Sequence, residues 1–242
     1  MRRLLCALAT MSGLALKEIK DPNTYAALLY APPAAATSDA PWPLLLYLHG
    51  AGESGTDVRG LISEGATGTP PVSLERGVAI PELASSFVVV APQTSFGWAP
   101  DDVSRFVDFL LASADVPALD ATRLYVTGHS MGGSGALHAA TTRRFAACAP
   151  VAPAGSARPA ALSGVPVWAF HGANDVIVPS YISAKLVDAL RKAGASEDDA
   201  RATIYPEAPT PPGWPTSVGH ASTIPTYANP DLYAWLLRHR LA

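Results

Sequence analysis

The chain of 242 residues has little cysteine and little charge. Its two cysteines, Cys6 and Cys148, are too few for a disulfide framework. Cys148 sits in the apolar run Phe145-Ala146-Ala147-Cys148-Ala149 and reads as a small buried hydrophobe. Charged residues make up 15% of the chain, with 17 Lys and Arg against 20 Asp and Glu. No basic stripe is present, so nucleic acid has no electrostatic footprint here. No C-x-x-C, H-E-x-x-H or similar ligand spacing occurs, so a metal centre is not indicated. No apolar run is long enough for a transmembrane span.

The first residues are ambiguous. Arg2-Arg3 and the apolar stretch to Leu16 have the outline of a short signal peptide. Thr10, Ser12 and Gly13 interrupt that stretch, and no small-x-small cleavage site precedes Lys17. The preferred reading is an ordinary N-terminal segment packed on the domain, which favours the cytoplasm. If the segment is a targeting signal, a secreted or organellar location follows.

Nearly half of the residues (49%) are hydrophobic, enough for a large core. A chain of this length fits one α/β domain, here expected over residues 1–242. Thr24–Tyr30 reads as a first strand. Leu44–Leu48, Phe87–Ala91, Leu124–Thr127 and Val165–Phe170 are short continuous apolar runs, the pattern of strands buried on both faces. Ala202–Tyr205 fits a last edge strand. Helical spacing appears over Val103–Leu111, Gly133–Thr142, Ile182–Ala193 and Asp231–His239. Alternation of strands and helices predicts a mainly parallel sheet covered on both faces, with its active site at the carboxyl ends of the strands.

Gly128-His129-Ser130-Met131-Gly132 is the most telling stretch. It follows the Leu124–Thr127 run and precedes small residues able to open a helix. Strand, G-x-S-x-G, helix is the context of a nucleophile elbow, a strained turn that lifts a serine hydroxyl above the sheet edge. The Met131 amide, at a helix N-terminus, would face an oxyanion formed over Ser130. Alone, the motif equally fits a glycine-rich turn with a solvent-facing serine.

Three further segments follow the order such chemistry requires. His49-Gly50-Ala51-Gly52-Glu53-Ser54-Gly55 comes directly after a strand, and its backbone could supply a second oxyanion donor, Ala51 first and Gly52 second. His49 itself reads as structural, its ring bonded to a backbone carbonyl. His171-Gly172-Ala173-Asn174-Asp175 follows a later strand; Asp175 could orient a histidine, although Asn-Asp is also ordinary turn chemistry. His220 lies on the last strand-to-helix loop, where the order Ser, Asp, His puts the general base. His129 is expected to point away from the reacting side. Gln93, Trp98 and Trp214 could touch substrate or simply pack.

Together these segments resemble α/β-hydrolase serine esterases, in particular the group of predicted peptidases, polyhydroxybutyrate depolymerase-like and feruloyl esterase-like hydrolases. The residues that carry the resemblance are Leu48–Glu53, Ala91-Pro92-Gln93, Gly128–Gly133, Phe170–Pro179, Gly219-His220 and Tyr227–Leu237. The resemblance implies the α/β-hydrolase fold, a three-layer sandwich, and cofactor-free ester hydrolysis of a small-molecule substrate. It implies a Ser130-His220-Asp175 triad working through an acyl-enzyme, with Met131 and Ala51 amides at the oxyanion. Two departures stand out. Related sequences often carry Asp and Trp soon after the histidine, where this chain has Ala221-Ser222-Thr223; and the Pro206–Pro215 stretch is unusually rich in proline. Serine at the elbow argues against a dienelactone hydrolase, which uses cysteine, and against a dehalogenase, which uses a carboxylate. A peptidase, a thioesterase or a non-catalytic binding relative remain the alternatives. Oligomeric state is not legible.

Overall fold

The computed structural model describes residues 15–241. Cys6 and nearly all of the ambiguous N-terminal stretch lie outside them. Eight strands form one sheet: β1 (Lys17–Lys20), β2 (Ala26–Tyr30), β3 (Trp42–Leu48), β4 (Val88–Gln93), β5 (Leu119–His129), β6 (Ala147–Val151), β7 (Val167–Gly172) and β8 (Ala200–Tyr205). Their order across the sheet is β1-β2-β4-β3-β5-β6-β7-β8. The first two strands pair antiparallel, and every pairing from β4 to β8 is parallel.

The continuous apolar runs are explained by a two-sided core. In β3, Leu44, Leu46 and Leu48 face one cluster, while Leu45 and Tyr47 face the other. Successive side chains of a strand point to opposite faces, so a strand covered on both sides must be apolar at every position. Helices α3 (Pro100–Ala112), α4 (Met131–Ala140) and α5 (Tyr181–Lys192) bury Phe106, Leu137 and Leu186 against the first face. Helices α1 (Pro70–Glu75), α2 (Pro81–Ser86), α6 (Thr223–Tyr227) and α7 (Pro230–Arg238) bury Leu74, Leu83, Tyr227 and Trp235 against the second. The result is the expected three-layer α/β-hydrolase sandwich.

The strand order places the site. From β3 the chain moves outward to β4, then α3 carries it back across to β5 on the other side of β3. The loops leaving β3 and β5 therefore diverge, and a crevice opens between them at their carboxyl ends. The His49 and Ser130 segments both start there.

Several elements differ from the sequence reading. β6 was expected only as an apolar run; it is a central strand, with Cys148 fully buried in it. The polar edge strand β1 and the short helices α1, α2 and α6 were not expected. Five- and six-residue helices, three of them containing proline, present too few turns for a periodic pattern to emerge.

Trp235 anchors α7. It is 1% exposed, stacks edge-on against Trp168 with ring centroids 5.6 Å apart, and donates its indole N–H to the Asp198 carbonyl at 3.0 Å. Trp235→Ala is expected to destabilise the fold by about 3–5 kcal/mol. Urea denaturation measures this, and a loss under about 1 kcal/mol would show that α7 is held by other contacts.

Candidate active site

Ser130 stands between β5 and α4 with φ 54° and ψ −113°, a conformation that non-glycine residues rarely adopt. The backbone around it is tied down: its N–H donates to Val151 O at 2.9 Å, and its carbonyl accepts from Ser134 N at 3.1 Å and Ala154 N at 3.2 Å. Gly132, the second residue of the helix, explains how closely α4 approaches the sheet. A Cβ there would lie 1.9 Å from the Leu48 carbonyl oxygen. Met131 opens α4, so its amide has no helical carbonyl one turn behind it.

The loop after β3 folds into a tight 3-10 turn, Ala51–Glu53, closed by Glu53 N to Gly50 O and Ser54 N to Ala51 O, both 3.3 Å. Those two bonds use the amides of Glu53 and Ser54 and leave the amides of Ala51 and Gly52 at the start of the turn. His49 braces it from below. Its Nε2 accepts the Thr94 N–H at 3.0 Å, so Nδ1 holds the proton that it donates to the Gly50 carbonyl at 2.6 Å. Burial lowers the His49 pKa, and the ring works here as a neutral strut.

Asp175 and His220 meet. His220 Nδ1 lies 2.7 Å from Asp175 Oδ2, across 45 positions of sequence. The other carboxylate oxygen accepts the amides of Ile177 and Val178, each at 2.9 Å. His171 Nε2 donates to Val178 O at 2.9 Å and lies 3.5 Å from Asp175 Oδ2. Burial alone would raise the pKa of Asp175. The bonds from His171, His220 and the Val178 amide outweigh it and hold the carboxyl well below the usual range. Gly219 lets the two loops touch. It has φ 76°, and a Cβ there would lie 2.4 Å from the Asn174 carbonyl.

Ser130 and His220 line one cavity of about 380 Å³. Gly50–Glu53 form one wall, and Thr69, Ile177 and Trp214 contribute to the rest. Trp214 packs over the Ala51–Glu53 turn, within 3.5 Å of where a Gly52 Cβ would be. The proline-rich stretch thus hangs an indole over the cavity. Gln93 and Trp98 lie elsewhere, on a second groove beside β2 and β4. Gln93 Nε2 donates to the Glu53 carbonyl at 2.9 Å, and the Trp98 indole donates to the His49 carbonyl at 3.1 Å. Both therefore support the loop after β3 from behind.

His129 does not point away from the site. Its Nε2–H donates to the His220 carbonyl at 2.7 Å, its ring lies 4.7 Å from the His220 ring, and it lines the cavity. Burial pushes its pKa down to about 3, so the ring stays neutral. Nothing in a G-x-S-x-G motif shows where the x side chain turns. Glu53 was also missed as a side chain. It lines the cavity, and burial raises its pKa to about 7 against the pull of the Gly50 and Glu53 amides and of His220. One acid within a loop of glycine and alanine was the available signal.

The chain has a wider kinship. A family model described as PET hydrolase-like matches residues 84–195, a little under half of the chain. The fold superposes on a thermostable esterase with a TM-score of 0.74, at 27% identity over 93% of this chain. The chain spans 63% of that esterase's length. It also superposes on a protein assigned as a dienelactone hydrolase from Klebsiella pneumoniae subsp. pneumoniae MGH 78578, with a TM-score of 0.64 and 19% identity over 92% of this chain and 98% of the other. The chain has the α/β-hydrolase fold. The likeness to the dienelactone hydrolase is one of fold alone. No curated protein matches the chain. No helix among the described residues is long and apolar enough to cross a membrane.

Two groups in the cavity act on stability in opposite directions. His129 is neutral when folded and would charge below about pH 6.5 when unfolded, so its contribution is full above that pH and is lost as pH falls toward 3. Glu53 keeps its proton when folded up to about pH 7, whereas its ordinary pKa is 4.5, so its contribution is lost as pH rises between those values. Glu53→Gln is expected to gain thermal stability over the native protein as pH rises from 5 to 8, by roughly several degrees in Tm. Melting curves at the two pH values check this; an unchanged difference would mean Glu53 titrates normally.

Proposed function

We propose that this α/β-hydrolase, as a single domain over residues 1–242, is a serine hydrolase that cleaves carboxylic esters through an acyl-enzyme. Ser130 is the nucleophile, His220 the general base, and Asp175 holds the imidazole in the tautomer that leaves Nε2 free to accept a proton. The amides of Met131 and Ala51, with Gly52 next to them, donate to the oxyanion. The observation that most strongly supports this reading is the 2.7 Å bond between Asp175 and His220, formed beside a cavity that Ser130 also lines. The match to a PET hydrolase-like family and the likeness to an esterase favour ester bonds.

The reaction follows from these positions. His220 Nε2 takes the Ser130 proton as Oγ attacks the ester carbonyl carbon. Negative charge moves to the carbonyl oxygen, where amides at the head of α4 and of the oxyanion turn neutralise it. The tetrahedral centre collapses, the C–O bond to the alcohol breaks, and His220 gives its proton to the leaving oxygen. Water then repeats the sequence on the acyl-serine and frees the acid. Throughout, Asp175 stays ionised and stabilises the imidazolium. No cofactor takes part in this sequence. The partner is a small ester molecule.

Ser130→Ala is expected to abolish hydrolysis of short aryl esters, with the fold intact by circular dichroism. Mass spectrometry after treatment with a fluorophosphonate should find one adduct, on Ser130, and none in the variant. A folded protein with no adduct would overturn the assignment in favour of a binding role. Asp175→Asn should lower kcat by roughly two to four orders of magnitude, because the imidazole loses both its tautomer and its counter-charge. A loss under about tenfold would point to another acid, such as Asp188 or Glu207. Matched ester, thioester and amide substrates rank the alternatives, and faster amide cleavage would make the protein a peptidase.

A further inference from the structure

Glu53 is the only acidic residue lining the cavity among the described residues, and no Lys or Arg lines it. Its carboxyl folds back over its own turn. A Cβ on Gly50 would lie 3.2 Å from Glu53 Oε2 and 3.4 Å from His129 Nδ1, so the carboxyl and the imidazole face the same point. Because His129 Nε2 must carry a proton to bond the His220 carbonyl, its Nδ1 is an acceptor. A neutral Glu53 can offer it a proton donor, and an ionised one cannot. The turn that holds this carboxyl is the turn that presents the Ala51 and Gly52 amides.

We propose that Glu53 is the specificity-determining residue of the cavity: it admits esters with uncharged acyl groups and rejects those that carry a negative charge. This rests on the ester-hydrolase reading above. Ester cleavage turns an uncharged substrate into a carboxylic acid that ionises in water. A single acid in an otherwise uncharged pocket opposes that anion and favours its release. The same field disfavours a substrate that arrives with its own carboxylate. Interaction between two charges within one pocket is strong because little water separates them.

The rejection strengthens with pH. The titratable groups that face Glu53 are His129 from β5, His220 from the loop before α6, and the buried Tyr47 hydroxyl from β3. His129 and Tyr47 stay uncharged over the working range, His129 because burial lowers its pKa and Tyr47 because burial raises its own. With Glu53 protonated below about pH 7 and ionised above it, the pocket changes from neutral to anionic.

The test compares 4-nitrophenyl butyrate with the matching 4-nitrophenyl monosuccinate at pH 5.5 and 8.5, in the native protein and in Glu53→Gln. The ratio of kcat/KM for the neutral over the anionic ester is expected to rise about tenfold with pH in the native protein and to stay level in the variant. Equal pH dependence in both proteins, or a level ratio in the native protein, overturns the proposal. If Glu53→Gln folds poorly, Glu53→Met, uncharged and of similar length, replaces it; the native ratio alone still decides against the proposal if it is level. Fluorophosphonate labelling of Ser130 in the native protein separates the two readings. Labelling with no charge discrimination removes only the role of Glu53, whereas no labelling removes the hydrolase and this inference with it.

Discussion

The close approach of α4 to the end of β3 is the constraint on which the rest of the site depends. The Leu48 carbonyl lies where a side chain on Gly132 would be, so helix and strand meet backbone to backbone. That contact fixes the height of the first turn of α4 above the sheet. The chain must then leave β5 and enter the helix within a single residue, and Ser130 takes the strained φ that this requires. The strain is held by three backbone bonds to Ser130 from β6, α4 and the segment after β6. The same packing brings the Ala51–Glu53 turn after β3 beside the head of the helix. The positions of Ser130 and of the Ala51, Gly52 and Met131 amides are thereby set by main-chain geometry, which a conservative surface mutation leaves intact.

Around this frame the site is built from histidine struts and one fixed charge. Three buried histidines bond main-chain carbonyls: His49 holds Gly50, His129 holds His220, and His171 holds Val178. Each braces a loop at the carboxyl end of the sheet. Asp175 is the exception, a carboxylate with two amides and a ring nitrogen donating to it. Its charge is satisfied by these donors, and it fixes the orientation of the His220 ring. Glu53 is the opposite case. It is half-buried with fewer donors to its carboxyl, so it gives up its charge first as pH falls.

What was legible in the sequence follows from how completely each part is determined locally. Leu44–Leu48 and Phe87–Ala91 read as buried strands because both faces of the sheet are covered. The strained turn at Ser130 has a glycine spacing visible in the sequence because the close contact at Gly132 tolerates no side chain. Asp175, in the loop after β7, and His220, in the long loop after β8, are separated in sequence but meet in the fold. β6 did not read as a strand, because Ala147-Cys148-Ala149-Pro150-Val151 is built of small residues that fit between α4 and the strands beside it. β1 is polar on an exposed edge and gives no apolar alternation. The direction of the His129 ring and the burial of Glu53 come from tertiary packing, which no local pattern encodes.

Gln93 and Trp98 show how the same residue type can serve a site without entering it. Both end up behind the loop after β3, donating to the carbonyls of Glu53 and His49. A turn that must keep two amides free toward the cavity exposes its carbonyls on the far side. Those carbonyls are partly buried, and a buried acceptor without a donor is costly. An amide and an indole supply the missing donors, and the Trp98 ring adds an edge-on contact to His49 at 4.9 Å. Trp214 stands on the opposite side, over Gly52, where the turn has no side chain of its own. The loop after β3 is therefore held between two tryptophans, one bonding its back and one covering its front. The proline-rich segment that carries Trp214 is also the segment that leads to His220, through Ser217 N to Trp214 O at 2.9 Å and His220 N to Ser217 O at 3.1 Å. Any displacement of the front cover is thus transmitted to His220.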